Sequence, residues 1–221
     1  LQKIFSQSPL PDHADAFIPF PSSRTEYINE KFKADGVVPD IIDIPPPKLL
    51  TIRYGSLEVV PGMTMTPTEV KDPPEVTFEA EAGSHYTLVM SGKYIDAPSR
   101  KDPKFGEWLH WCVVNIPGNN IGQGENIAEY VGAGPPWGTG PHRYVFLVFK
   151  QNGKKKFAEQ KLTRHSGRGR ANRKVRKFIK KHKLDELVAG NYFQAKFDNY
   201  VPLLHKQLGI EKLLKETLKN G

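Results

Sequence analysis

Cysteine is almost absent from this sequence, which has one, Cys112, among 221 residues. A single cysteine excludes an intramolecular disulfide, and this favours a reducing compartment and predicts a cytoplasmic location. Secretion is the alternative, since the sequence begins at Leu1 rather than Met and removal of a signal peptide would leave such a start. Cys112 itself lies in an apolar stretch, which indicates a packed core thiol rather than a nucleophile.

Long apolar runs and, in one region, acidic residues are also missing. No run approaches the roughly 20 apolar residues that a membrane-spanning helix needs, so the sequence predicts no such helix.

Between Lys150 and Lys183 there are fifteen Lys or Arg residues and one acid, Glu159. With a formal net charge of +8, the chain is expected to bind acidic partners, namely phospholipid head groups, phosphorylated proteins or nucleic acid.

Glycine and proline are plentiful, at 19 residues each, which is typical of a β-fold with many loops. Several segments rich in β-branched and aromatic residues are bounded by turn residues and predict strands. These segments are 50–54, 76–80, 85–90, 109–116, 142–149 and 192–197. Because no long helices separate the first five, an antiparallel sandwich or barrel is expected.

Helical patterns flank the predicted strands. Apolar residues at helical spacing predict helices over 25–33, 172–182 and 203–218, the last one amphipathic. Residues 1–35 are interpreted as an N-terminal extension that carries the first short helix. Residues 36–221 are interpreted as one domain.

Three segments carry longer motifs: DAPSRKDPKFGEWLHW at 96–111, VVNIPGN at 113–119 and YVGAGPPWGTGPHRYVF at 130–146. Together they resemble the two signature regions of the phosphatidylethanolamine-binding protein family, which includes the Raf kinase inhibitor proteins and the plant flowering regulators. The resemblance implies a mainly β fold, an antiparallel β-sandwich with Greek-key connections and short flanking and C-terminal helices. It also implies a small anion pocket at one end of the sheet.

By the same resemblance, Asp96, His110, His142 and Tyr144 occupy pocket positions. The residue types suit that role, because histidine side chains donate charge-assisted hydrogen bonds to anions and Tyr144 adds a hydroxyl on the strand face of His142. The alternative for each histidine is a hydrogen bond to buried backbone. A zinc site lacks a third and a fourth ligand at convincing spacing, so neither a metal nor a cofactor is expected.

Two glycine-rich turns complete the predicted pocket. Gly132 and Gly134 in the first turn, with Gly138 and Gly140 in the second, allow the backbone to approach a ligand and to direct N–H groups towards phosphate oxygens. The alternative is that these glycines serve only the turns. Trp137, between the two turns, is either an exposed rim residue for membrane or partner contact or packed within its loop.

The sequence departs from the family at residues 91–95, where an acid is lost and Lys93 is gained. Lys93 either points into the pocket as an additional ammonium donor or outward as an exposed residue on a bulge. The outward position is expected, because exposed lysines are the more common arrangement.

These features predict a non-catalytic, monomeric protein that holds phosphate-bearing head groups of the phosphatidylethanolamine type, or phosphorylated partners. A kinase or protease is the expected protein partner, and peripheral contact with an anionic membrane is compatible with the charge. One alternative is a scaffold in a nucleic-acid-bound assembly, although no nucleic-acid-binding signature accompanies the basic segment. A hydrolase is the other, although a nucleophile motif such as G-x-S-x-G is missing.

Overall fold

A computed structural model describes residues 23–94, 106–212 and 214 of the chain. The helices are α1 (Arg24–Ala34), α2 (Val37–Asp40), α3 (Val175–His182) and α4 (Val201–Leu208). The strands are β1 (Thr51–Tyr54), β2 (Leu57–Glu58), β3 (Met63–Met65), β4 (Glu75–Thr77), β5 (His85–Tyr94), β6 (Trp108–Pro117), β7 (Glu125–Ala128), β8 (His142–Gln151) and β9 (Glu186–Ala195).

The strands form two sheets. A six-stranded sheet has the order β3-β9-β8-β5-β6-β7, and a three-stranded sheet has the order β2-β1-β4. The strand pairs are antiparallel except for β3 with β9, which is parallel. The predicted mainly β sandwich is therefore confirmed, with one parallel pair that the sequence patterns did not indicate.

The larger sheet is covered on both faces. One apolar cluster fills the space between the two sheets and includes Ile52, Leu88 and Phe146. A second cluster lies on the opposite face, under the helices, and includes Phe32 and Cys112. Because both faces are buried, the central strands β6 and β8 consist largely of buried residues rather than an alternation of apolar and polar ones.

The predicted state of Cys112 is confirmed, since its side chain has no exposed surface. Burial raises the pKa of its thiol well above the ordinary value. The thiol therefore stays protonated at neutral pH and contributes to packing.

The helices follow the sequence patterns with one correction. Ser23 caps α1 by accepting a hydrogen bond from the Glu26 N–H, and Ile28 on the inner face of the helix is buried. The prediction of one continuous helix over 203–218 is wrong: α4 ends at Leu208, because Gly209 adopts a left-handed conformation with φ of +66°. None of the helices in the described ranges has the length and apolarity that crossing a bilayer requires.

One arginine of the basic segment is buried in the structure. The Arg170 side chain has no exposed surface, and its guanidinium donates five hydrogen bonds of 2.8–3.1 Å to backbone carbonyl oxygens. The acceptors are the carbonyls of Leu109, His110, Glu129, Thr163 and Ser166. Burial lowers the pKa of Arg170 to about 10, so it remains charged at neutral pH.

We expect Arg170→Lys to destabilise the fold, because an ammonium group has three donors and cannot reproduce the planar five-donor arrangement. Each carbonyl left unpaired costs about 1–3 kcal/mol, so the free energy of unfolding should fall by roughly 3 kcal/mol or more. Urea unfolding followed by circular dichroism measures this loss. Arg168→Lys is the matched control, because Arg168 is exposed. Equal stability of the two variants would contradict this role for Arg170.

Candidate functional site

Three neighbouring strands bring polar groups together at one end of the larger sheet. Strand β5 lies between β6 and β8. Near the end of β5, Gly92 is opposite Trp108 on one side and Tyr144 on the other. His110 lies close to the start of β6 and His142 is the first residue of β8. The antiparallel order thus places the end of one strand beside the starts of two others.

A β-bulge directs His110 into this site. Met90 pairs with Trp111 while Ser91 pairs with Leu109, so His110 is the additional residue on β6. The bulge interrupts the usual alternation of side chains. As a result His110 and Trp111, although consecutive, both lie on the side of Tyr144: the rings of His110 and Tyr144 are 5.0 Å apart, and Trp111 shares the inter-sheet cluster with Tyr144.

The room for a pocket exists because residue 92 is a glycine. A Cβ atom at Gly92 would lie 2.6 Å from His110 Nε2 and 3.3 Å from Tyr144 Cε1, and the first distance is too short for any real side chain. The resulting cavity encloses about 70 Å³, whereas one water molecule needs roughly 10–15 Å³ on this measure. The cavity therefore accommodates a group the size of a few waters.

His110 and His142 each have a defined neutral tautomer. His110 Nδ1 donates to the carbonyl oxygen of Val131 at 2.9 Å, which leaves Nε2, the atom facing Gly92, as an acceptor. The hydroxyl of Thr139 donates to the Pro136 carbonyl at 2.8 Å. That hydroxyl therefore accepts from His142 Nε2 at 2.8 Å.

The first glycine-rich turn and helix α4 form another wall. Gly134 N–H donates to the Tyr144 hydroxyl at 3.3 Å. The Gly134 carbonyl accepts from His205 Nε2 on α4 at 2.9 Å. A Cβ at Gly134 would approach Leu204 to 3.0 Å, and one at Gly132 would lie 2.5 Å from the Val70 carbonyl. These glycines therefore allow close packing of the turn against its neighbours.

The structure brings together five of the six residues that the sequence places in the pocket. His110, Gly132, Gly134, His142 and Tyr144 all line the cavity. Asp96 lies outside the described residues. Among the residues that are described, no group of three His, Cys, Asp or Glu is placed to hold a metal ion.

Two members of the pocket, Gly92 and His205, are not indicated by the sequence patterns. Gly92 follows Ser91 within an apolar strand and carries no turn signal. His205 is 63 residues from His142 in the sequence, and only the packing of α4 against the turn brings it to the pocket. The spacing of Leu204 and Leu208 on the inner face of α4 is the one sequence feature that could have indicated that this helix packs near the pocket.

A sequence model described as phosphatidylethanolamine-binding protein matches residues 55–193, a span that contains every strand lining the pocket. The chain belongs to the phosphatidylethanolamine-binding protein family. It is 41% identical over 184 residues to "Putative odorant-binding protein A5" of Drosophila melanogaster. The matched region covers 83% of this chain and 87% of that protein.

Two solved structures are also similar to this family member. The solution structure of CG7054 is 43% identical with a TM-score of 0.63, and the match covers 79% of this chain and 98% of the other. A carboxypeptidase Y inhibitor, solved in complex with its cognate proteinase, is 28% identical with a TM-score of 0.67. That match covers 79% of this chain and 97% of the inhibitor.

His110 and His142 of this family member are uncharged at neutral pH. The pKa of His110 is lowered to about 4, chiefly by burial and to a smaller extent by the charge of Arg170, while the hydrogen bond to the Val131 carbonyl opposes the shift. Burial, together with His110, lowers the pKa of His142 to about 3. The unliganded protein therefore holds both rings neutral, because desolvation penalises the imidazolium form, and the charged donors that the sequence predicts for a bound anion require protonation on binding.

Lys93 points away from the pocket, as expected, but it is not an exposed residue. Its side chain is half-buried rather than exposed, and its ammonium group donates to the Asp40 carbonyl of α2 at 3.1 Å. Gly92 faces His110, so the alternation along β5 directs Lys93 to the opposite, helix-covered face. Burial lowers the pKa of Lys93, an effect that the charge of Asp40 opposes. The ammonium group thus ties α2 to the sheet.

The two histidines should make the fold less stable in mild acid. Their folded-state pKa values of about 4 and about 3 lie below the ordinary value of 6.5, so between pH 6.5 and 4 the unfolded chain binds protons that the folded chain does not. The free energy of unfolding should therefore fall with pH across that window, by about 1.4 kcal/mol per pH unit for each histidine. Urea unfolding at a series of pH values measures this slope.

Matched variants separate the titration from the hydrogen bonds. His110→Asn keeps a donor in the position of Nδ1, and His142→Gln keeps one in the position of Nε2, but neither side chain titrates. Each variant should show a shallower loss of stability between pH 6.5 and 4 than the unsubstituted protein. Identical slopes would contradict the neutral, desolvated state of the histidines.

Proposed function

We propose that this chain is a non-catalytic binding protein that holds a phosphate-bearing group, such as the head group of a phosphatidylethanolamine-type lipid, in the pocket beside Gly92. The observation that carries the proposal is the convergence of His110 and His142 on Tyr144 in a small, largely apolar cavity. A cavity with apolar walls and a few polar groups that converge is typical of a ligand-binding site.

The size and chemistry of the cavity favour phosphate. A volume of about 70 Å³ accepts a phosphate group but not the acyl chains of a lipid. His110 Nε2 is an acceptor in the unliganded protein, so it can receive the proton of a singly charged phosphate monoester such as phosphoethanolamine, whose second pKa is about 6. The phosphodiester of an intact lipid has no such proton, and the histidine then takes its proton from water. The imidazolium formed in either way would pair with the phosphate anion in a low-dielectric site, where such pairs are strong.

The family relationships support binding rather than catalysis. The one cysteine of the chain, Cys112, is not placed to act as a nucleophile in the pocket, because it packs in the apolar cluster on the other face of the sheet. One similar structure is of a carboxypeptidase Y inhibitor bound to its proteinase, which supports a protease as a partner class for this chain. A role of that kind would use the protein surface, and the pocket would remain available to a small ligand.

Phosphate binding should strengthen as the pH falls from 8 to 5. A bound anion stabilises the imidazolium form and so raises the histidine pKa values from about 4 and about 3, and the complex then holds more protons than the free protein. Isothermal titration calorimetry with inorganic phosphate and with phosphoethanolamine measures the affinity. Repeating the titration in buffers of different ionisation enthalpy measures the protons taken up.

Loss of a charge-assisted hydrogen bond costs roughly 1.5–3 kcal/mol, so His142→Gln should weaken phosphate binding by about tenfold or more at pH 6. His85→Gln is the matched control, because His85 begins β5, the strand that carries Gly92, and lies at the end of that strand away from the pocket. A protein that binds neither phosphate nor phosphoethanolamine would refute the proposal. Equal affinity in the His142 and His85 variants would refute the assignment of the histidine.

A further inference from the structure

A second cleft lies on the helix-covered face of the larger sheet and shares no lining residue with the pocket beside Gly92. It encloses about 210 Å³ between helix α3 and the strands β5, β6 and β7. Its floor is apolar and is formed by buried residues, namely Val89, Leu109, Cys112 and Ile127. Protein interiors leave few gaps larger than a water molecule, so an apolar cleft of this size is unusual.

Helix α3 borders the cleft with one of its sides. The lining residues are Lys174, directly before the helix, and Lys177, Phe178 and Lys181 within it. Their spacing of three and four residues places side chains on the same side of a helix. The half-buried ring of Phe178 extends the apolar wall, and the three lysines are exposed. The cleft therefore combines an apolar floor with a cationic mouth.

The acids near the mouth are engaged by other groups. One oxygen of Glu159 accepts from Lys181 at 2.6 Å and from His182 at 2.7 Å. The other oxygen of Glu159 pairs with Arg173 at 3.2 Å. Glu107 is buried and accepts the first N–H of α3 at 2.7 Å. These carboxylates therefore do not pair with the remaining lysines of the mouth.

Those remaining lysines are available to a ligand. Within the part of the chain that the structure describes, the ammonium groups of Lys174 and Lys177 make no hydrogen bond and no ion pair. Residues three positions apart on a helix are neighbours, so both ammonium groups can reach one anionic head group. A carboxylate suits them, because its two oxygens accept from two separate donors.

We infer that this cleft is a second ligand site, which binds a small amphiphilic anion with an alkyl tail and a carboxylate head. The tail lies along the floor at Val89, Cys112 and Ile127, and the carboxylate pairs with Lys174 and Lys177. An apolar cavity of about 150 Å³ holds benzene, so a cleft of about 210 Å³ accepts a tail of roughly eight carbons. The inference does not depend on the proposed function, because the two sites have no residue in common.

Calorimetric titration with hexanoate, octanoate and decanoate, each below its micellar concentration, tests the site. The affinity should rise about fourfold for each added methylene, because each one leaves water for the apolar floor, and should level off when the cleft is full. Octylamine has the same tail length and the opposite charge, so it should bind far more weakly. Cys112→Met lengthens one side chain of the floor and should move the optimum to a shorter tail.

A pair of charge reversals on α3 tests the head group. Lys177→Glu should weaken octanoate binding by about tenfold, since it replaces an attraction at the mouth by a repulsion of similar size. Lys180→Glu is the matched control, because Lys180 is exposed on the same helix and is not a lining residue of the cleft. This control should bind octanoate with nearly unchanged affinity. Equal weakening in both variants would mean that the charge of the helix attracts anions without the cleft, and would overturn the inference.

Titrations of both ligands separate this site from the phosphate pocket. His142→Gln should bind octanoate, and Lys177→Glu should bind inorganic phosphate, each as the unsubstituted protein does. Octanoate binding that is lost in His142→Gln and kept in Lys177→Glu would place the carboxylate in the phosphate pocket and overturn the inference. Absence of octanoate binding by the native protein would overturn it as well, whatever the result with phosphate. Circular dichroism melts of the variants check that the fold is retained.

Discussion

The hydrogen bonds of the buried Arg170 guanidinium connect the parts of the molecule that form the pocket. They join the start of β6, the segment after β7 and the loop of residues 163–166. A buried cation is costly unless its donors are paired, so these carbonyls must converge for the chain to fold. The same guanidinium binds the carbonyl of His110 and helps to keep that imidazole neutral. The residue that ties these segments together therefore also adds to the effect of burial on the pKa of His110.

Most of the fold could be predicted from local patterns. The strands with dense apolar and aromatic residues, such as β6 and β8, are found where the sequence indicates them, because burial on both faces demands a continuous apolar run. Long-range choices were not predictable in this way. The parallel pairing of β3 with β9 and the burial of Arg170 depend on contacts between distant segments. The end of α4 was missed because the leucine pattern continues past Gly209.

The residues His110, His142 and Tyr144 of the pocket were predictable from the sequence, but the protonation state of the histidines was not. Family motifs indicated His110, His142 and Tyr144, and the antiparallel order of β6, β5 and β8 brings them together. The protonation state could not be read from residue types, since it depends on how completely the folded protein excludes water from each ring. His205 escaped prediction because it joins the pocket only through tertiary packing of α4.

The pocket owes its existence to a side chain that is missing at one position of a central strand. A single methyl group at Gly92 would collide with the His110 ring, which Tyr144 and the Val131 carbonyl hold in place. In a lineage of such proteins, the residue at this one position of β5 therefore distinguishes members that can keep the cavity from members that have lost it.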